Sequence, residues 1–236
     1  WQSSYKHTMA KVVMISGANR GIGKAIALKL YEYGFLLSLG VRELDRVTKD
    51  ILGLPKDKVL LVSYNSADPN TEHEWIKKTL DVFDRIDGLI NNAGIFHSVD
   101  IEDDNEELLD KMLDVNTKAP IRLTRLVLPY LRQSSEGRII NIVSSGAKYI
   151  EDSKVGYSIS KFGFLAASHA MFHAAKEDGV RVTALCPGWV NTNMAKNSSP
   201  LSPEKMIQPE TIADIVLMLL NLPNTVVIPE LIVDNA

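Results

Sequence analysis

From Lys11 onward, short apolar runs alternate with longer stretches in which apolar residues recur every three or four positions. The runs read as strands buried on both faces, and the longer stretches as helices with one apolar face. The pattern predicts strands near 11–16, 35–40, 58–63, 87–91, 137–144, 180–186 and 225–229. It predicts helices near 21–33, 43–52, 70–84, 105–132, 155–178 and 209–221, with Pro120 breaking or kinking the longest. Strands and helices in strict alternation describe an α/β chain. The expected fold is a doubly wound, mostly parallel seven-stranded sheet with helices on both faces.

The periodic pattern starts only near Met9. Residues 1–8, WQSSYKHT, therefore read as an appended stretch outside the fold, which leaves 9–236 as a single domain. That opening lacks the apolar core of a secretory signal, and no run of about eighteen apolar residues predicts a membrane span. The alternation is interrupted at 187–208, rich in Pro, Ser and Asn, which reads as a long loop and a candidate lid over a substrate.

Composition narrows the function. With 45% hydrophobic and 23% charged residues the chain has ample material for a core, and its formal net charge of -3 is scattered. No basic stripe offers itself to a phosphate backbone, so nucleic acid is not an expected partner. One cysteine, Cys186, without metal-ligand spacing around it, fits a reducing compartment, and the expected location is the cytoplasm. The acidic stretch IEDDNEELLD reads as a helix start, where carboxylates offset the dipole, rather than as a metal site. His169 and His173 lie four apart on a predicted helix but lack the glutamate of a zinc motif and a third ligand, so no metal is expected.

The chemistry concentrates in three places. SGANRGIG follows the first strand and opens the first helix, placing Gly17, Gly21 and Gly23 in a strand-turn-helix corner with Asn19, Arg20 and Ile22. Such a corner leaves space for a pyrophosphate above a helix amino terminus, where free amides and the dipole attract negative charge. NNAG, with Asn92, Ala93 and Gly94, follows the fourth strand. Tyr157 and Lys161 share one helix face, where a nearby ammonium would favour the phenolate and lower the tyrosine pKa.

GxxxGxG, NNAG and YxxxK, in this order from about Lys11 to Met194, resemble the short-chain dehydrogenase/reductase family, in particular its classical branch. The resemblance implies a Rossmann-like fold, a nicotinamide dinucleotide, and hydride transfer between the nicotinamide and a carbonyl or secondary alcohol. It implies Tyr157 as acid and base, Lys161 tuning it and holding the ribose, Ser144 orienting the substrate oxygen, and Asn116 holding a water linked to the lysine. Ser145 is the rival to Ser144, which the family's serine-to-tyrosine spacing favours. The family's adenine-contacting Asp is replaced by Asn65, and Pro187, Gly188, Val190 and Thr192 match the segment along the nicotinamide.

At the end of the second strand, Val41 and Arg42 stand where an NAD binder carries an acid, and with Arg20 they favour NADP(H) over NAD(H). Glu43 argues the other way if the alignment slips by one residue. Ile95, Phe96, Gly146, Tyr149, Trp189 and Met194 are candidates for an apolar substrate pocket. A homodimer through helices near 117–132 and 155–178 is the expected assembly, with a tetramer as the other family-like arrangement. The alternative reading is a nucleotide-binding regulatory protein that keeps this fold with little catalysis.

Overall fold

A computed structural model describes residues 10–150, 154–196 and 198–236; the stretch 1–8 lies outside the described residues. Seven strands form one parallel sheet: β1 (Val12–Ser16), β2 (Leu36–Val41), β3 (Val59–Ser63), β4 (Gly88–Asn91), β5 (Arg138–Ile142), β6 (Arg181–Pro187) and β7 (Glu230–Val233). Their spatial order is β3-β2-β1-β4-β5-β6-β7, so the winding reverses between β1 and β4. In open α/β sheets ligands bind at such a reversal, in the crevice outside the carboxyl ends of the strands.

The helices are α1 (Gly21–Glu32), α2 (Lys49–Leu52), α3 (Asn70–Phe83), α4 (Glu106–Leu113), α5 (Ala119–Leu131), α6 (Val155–Ala175) and α7 (Pro209–Asn221). One apolar cluster gathers Ile26, Leu30, Ile51, Ile212 and Val216 from α1, α2 and α7. Another gathers Trp75, Ile76, Leu123, Val127 and Ala175 from α3, α5 and α6. The sheet is thus covered on both faces, which is why its central strands, such as the wholly buried VVMIS of β1, carry no alternation.

Three expected elements differ. The helix near 43–52 is a 3-10 turn at Leu44–Arg46 and a single α-turn at Lys49–Leu52, because Val47 and Thr48 between them are extended and Val47 is buried. The strand expected at 225–229 forms instead at Glu230–Val233. Pro229 has no N–H for a ladder, and pairing with β6 starts at its carbonyl, which accepts from Ala184 N at 2.9 Å. The long helix at 105–132 divides at a π-turn, Asp114–Lys118, with Pro120 in the first turn of α5. Helical backbone precedes it, so its missing N–H leaves the preceding turn one bond short, beside the π-turn. π-turns often mark functional positions, and this one contains Asn116.

Candidate active site

At the carboxyl end of β1 the chain enters the left-handed region at Gly17 (φ 70°) and again at Gly21 (φ 54°), which L side chains rarely adopt. Gly23 answers a different demand. A Cβ there would strike the carbonyl oxygen of Gly17 and lie 2.5 Å from Asn92 Nδ2, so only hydrogen allows α1 to pack this close to the turn. Arg20 precedes α1 in extended conformation, and no side chain caps the helix. Its first amides take no side-chain cap, and Ile22 packs its side chain on the core.

NNAG is bonded to this corner. Asn92 Nδ2 donates to the carbonyls of Ser16 (2.9 Å) and Gly17 (3.1 Å), while the N–H groups of Asn92 and Ala93 both donate to Ser16 Oγ at 3.0 Å. Ser16 thus joins the two segments, and motif reading passed over it although it directly precedes the first glycine. Thr192 closes the other side, since a Cβ on Gly21 would meet its Cγ2 at 3.2 Å. Val190 is buried and bridges to Ile207, while Pro187 ends β6.

Tyr157 and Lys161 lie one turn apart at the start of α6, as spacing demanded. Lys161 is buried, its Nζ donates to the Ile142 carbonyl at 3.2 Å, and it stands 5.7 Å from the Tyr157 ring centre. Burial, set only slightly against the attraction of Cys186, lowers its pKa to about 8. Burial also raises the pKa of Tyr157, which a hydrogen bond with the Ser144 side chain only partly offsets. In the free protein burial thus moves the phenol in the direction opposite to the one expected from a neighbouring ammonium.

The two serines have different partners. Ser144 Oγ accepts from Gly146 N at 3.0 Å and bonds Tyr157, whereas Ser145 Oγ pairs with the Tyr149 hydroxyl at 3.1 Å. Asn116 is buried. Its Oδ1 accepts from Ile95 N (2.8 Å) and its Nδ2 donates to Ile95 O (2.9 Å) and Ser160 Oγ (3.0 Å). Gly94 fits between the two: a Cβ there would lie 3.3 Å from Asn116 Oδ1 and 3.7 Å from Lys161 Nζ. Phe96 sets its ring edge-on to Tyr157, centres 5.3 Å apart, and Gly146 backs the same ring. Trp189 lies under Lys154 Nζ at 4.3 Å, while Tyr149 and Met194 are exposed.

Two predicted residues sit farther out. Arg42 follows β2 with an exposed side chain, paired at 3.2 Å to Glu43, whose other oxygen takes Arg46 Nε at 2.6 Å. Asn65 follows β3, where its Oδ1 accepts from Ala67 N and its N–H donates to Thr71 Oγ1. His169 pairs with Glu230 at 3.2 Å and His173 packs edge-on to Phe172. Among the described residues no three His, Cys, Asp or Glu gather as a metal site, and no helix is long and apolar enough to cross a membrane.

A glycine corner at the switch point of a doubly wound sheet stands where such folds bind dinucleotides, and a tyrosine, a lysine and a serine lie at the same sheet end. Residues 11–202 match the model of the short chain dehydrogenase family. The chain belongs to that family, whose members use NAD(P)(H) and act on small molecules. It is 35% identical over 219 residues to an agropine synthesis reductase of Rhizobium rhizogenes, covering 92% of this chain and 51% of that protein. The chain thus spans about half the length of that relative. An oxidoreductase of Staphylococcus aureus is 31% identical over 94% of this chain and 96% of its own. In solved structures, an alcohol dehydrogenase from the archaeon Thermococcus sibiricus, complexed with 5-hydroxy-NADP, superposes with TM-score 0.86 at 30% identity, covering 95% of this chain and 96% of that one. Levodione reductase superposes at 0.85 with 25% identity, covering 95% of each.

Proposed function

We propose that the protein is an NADP(H)-dependent oxidoreductase that interconverts a carbonyl and a secondary alcohol, with Tyr157 as acid and base. The observation that carries this reading is the meeting of Tyr157 with Ser144, and of Lys161 with the Asn116–Gly94 corner, at the sheet end that also bears the glycine turn. The cradle fits a dinucleotide: Gly17 and Gly21 carry the tight turn through positive φ, and the uncapped amides of α1 suit a pyrophosphate. Gly17, Asn19, Arg20 and Gly21 would hold the phosphates, Asn92 to Gly94 and Pro187 to Thr192 the nicotinamide half, and Asn65 the adenine side. Arg42 and Arg20 would take the 2′-phosphate. When bound, the cofactor supplies or accepts the hydride.

The chain's own residues handle the proton. In reduction, Tyr157 donates to the developing alkoxide; its phenol is protonated at neutral pH, and the burial that raises its pKa opposes the phenolate left behind. Ser144, its oxygen already accepting from Gly146 N–H, turns its own hydrogen toward the substrate oxygen. Lys161 places a positive charge where the phenolate forms, and its bond to Ile142 O fixes that charge. Asn116 grips both backbone groups of Ile95 and so fixes the floor beside Lys161, from which a water relays the replacement proton. The substrate enters an apolar pocket of Ile95, Phe96, Tyr149, Trp189 and Met194, under a loop at about 187–208. The protein works in the cytoplasm as a homodimer through α5 and α6, a reading supported by Ile159 and Phe162 exposed on α6.

The test is oxidation of NADPH against NADH across aldehydes, diketones, quinones, sugars and acyl thioesters, with Tyr157→Phe beside the wild type. Turnover that prefers NADPH and falls by roughly a thousandfold or more in Tyr157→Phe is expected. Equal turnover in that variant would remove Tyr157 as the proton donor. NADPH binding without turnover of any carbonyl would leave only a nucleotide-binding module.

A further inference from the structure

We infer that Asn235 is a positioning residue whose carboxamide latches both arms of the 187–208 loop and thereby sets Thr192 against the glycine corner. The two arms of the loop pair with each other: Ile207 N donates to Trp189 O at 2.9 Å, and Asn191 N to Ile207 O at 2.9 Å. On the opposite side of the first arm, Gly188 N donates to Val233 O at 2.8 Å and so continues the β6–β7 pairing. The backbone pairing stops there, and a side chain takes over. Asn235 Oδ1 accepts from Trp189 N (2.7 Å), and its Nδ2 donates to Trp189 O (3.1 Å) and Lys205 O (3.1 Å).

Only a carboxamide meets that demand, because the site asks for one acceptor and two donors from a single planar group. Gly188 makes room for it: a Cβ at 188 would lie 2.6 Å from Asn235 Oδ1 and would strike Asp234. The consequence reaches the crevice through a short run of chain. Trp189, fixed on both backbone groups, is three residues from Thr192, whose methyl lies over Gly21. Trp189 also stacks under Lys154 at the start of the helix that carries Tyr157. Releasing the carboxamide leaves Trp189 N and Lys205 O without this partner and Trp189 O with only the bond from Ile207 N, so the loop base loses the anchor that aligns Thr192.

This inference rests on the reading of 187–208 as the loop over the substrate, so the primary measurement needs neither substrate nor turnover. Amide hydrogen exchange is followed by mass spectrometry on wild type, Asn235→Ala, Asn235→Asp and Asn235→Gln, without cofactor. Asn235→Asp keeps an acceptor for Trp189 N but faces two carbonyls with a carboxylate. Exchange at 188–192 and 205–208 is expected to rise about tenfold in the Ala and Asp variants and less in Gln, with β1 to β5 unchanged. The NADPH Kd and carbonyl KM should rise severalfold, with kcat within about twofold of wild type.

Unchanged loop exchange in both Ala and Asp, or Asp behaving as wild type, overturns the latch. Acceleration spread evenly over the sheet overturns it too, since it would mark a residue that only stabilises the fold. If Ala and Asp do not fold, Gln decides: its longer carboxamide must loosen 188–192 and 205–208 selectively, and wild-type exchange there overturns the proposal. Faster loop exchange in a protein that reduces no carbonyl would keep the latch and reject the catalytic reading.

Discussion

Gly23→Ala puts the packing at the glycine corner to a direct test. The added methyl would overlap the Gly17 carbonyl oxygen, lie 3.0 Å from its carbon and stand 2.5 Å from Asn92 Nδ2, and two of these three atoms are backbone that cannot rotate away. Either α1 shifts outward or Asn92 gives up its bonds to Ser16 O and Gly17 O. Overpacking of this kind costs about 1–3 kcal/mol, and each lost buried hydrogen bond about 1 kcal/mol more. The cost is about 1–3 kcal/mol if α1 shifts and about 3–5 kcal/mol if both Asn92 bonds go, a Tm lowered by roughly 2–20 °C in a chain of this size. Moving α1 also turns its first amides away from the crevice, so NADPH binding should weaken by at least about tenfold.

Gly34→Ala is the matching control. It also has positive φ (83°), but a Cβ there meets nothing within 4 Å, so it carries only backbone strain of about 1 kcal/mol. Thermal unfolding and NADPH fluorescence titration of the two variants decide the matter. A Gly23→Ala protein with wild-type Tm and Kd, or one no worse than Gly34→Ala, would refute the argument that close approach requires this glycine.

Two further outcomes follow from the site's charges. Arg42→Asp should reduce the preference for NADPH over NADH by about ten- to a hundredfold, while Glu43→Gln, which frees Arg42 and Arg46 from their shared carboxylate, should sharpen it. Comparable Kd ratios in wild type and both variants would exclude this cluster from cofactor choice. Lys161 holds its proton below a pKa of about 8 and loses it above, so kcat/KM for reduction should fall as pH rises through about 8. The same lowered value means that this group destabilises the folded protein at neutral pH and that the penalty fades between about 8 and its ordinary 10.5. A rate profile flat to pH 9.5 would show that the lysine charge does not enter the rate.

Much of this was legible before any coordinates. Periodicity alone placed β1, α1, β4, α6 and α7 to within a few residues, because strands buried on both faces must be apolar throughout and covering helices must be apolar on one side. The glycine corner and the Tyr157–Lys161 pair were readable for a related reason: helix geometry and positive φ are local constraints that a few neighbouring residues satisfy. Where the reading failed, competing local signals were settled by distant contacts. Val47 breaks a helix because the core takes its side chain, and Pro229 moves β7 because the ladder with β6 needs an N–H it lacks.

Motif spacing named Ser144, yet it is the partner chosen by each hydroxyl, Tyr157 for one and Tyr149 for the other, that separates it from Ser145. The protonation of Tyr157 was likewise beyond reach of the sequence. A lysine one turn away promises an acidic phenol, but burial of both groups reverses the sign, and burial belongs to the whole fold. Ser16 and Asn235 carried no recognisable signal because their roles consist of bonds to backbone atoms at least thirty residues away. The order of residues determined the elements and the chemical groups at hand; folding decided which groups share a crevice, because desolvation and long-range hydrogen bonding exist only once the strands are side by side.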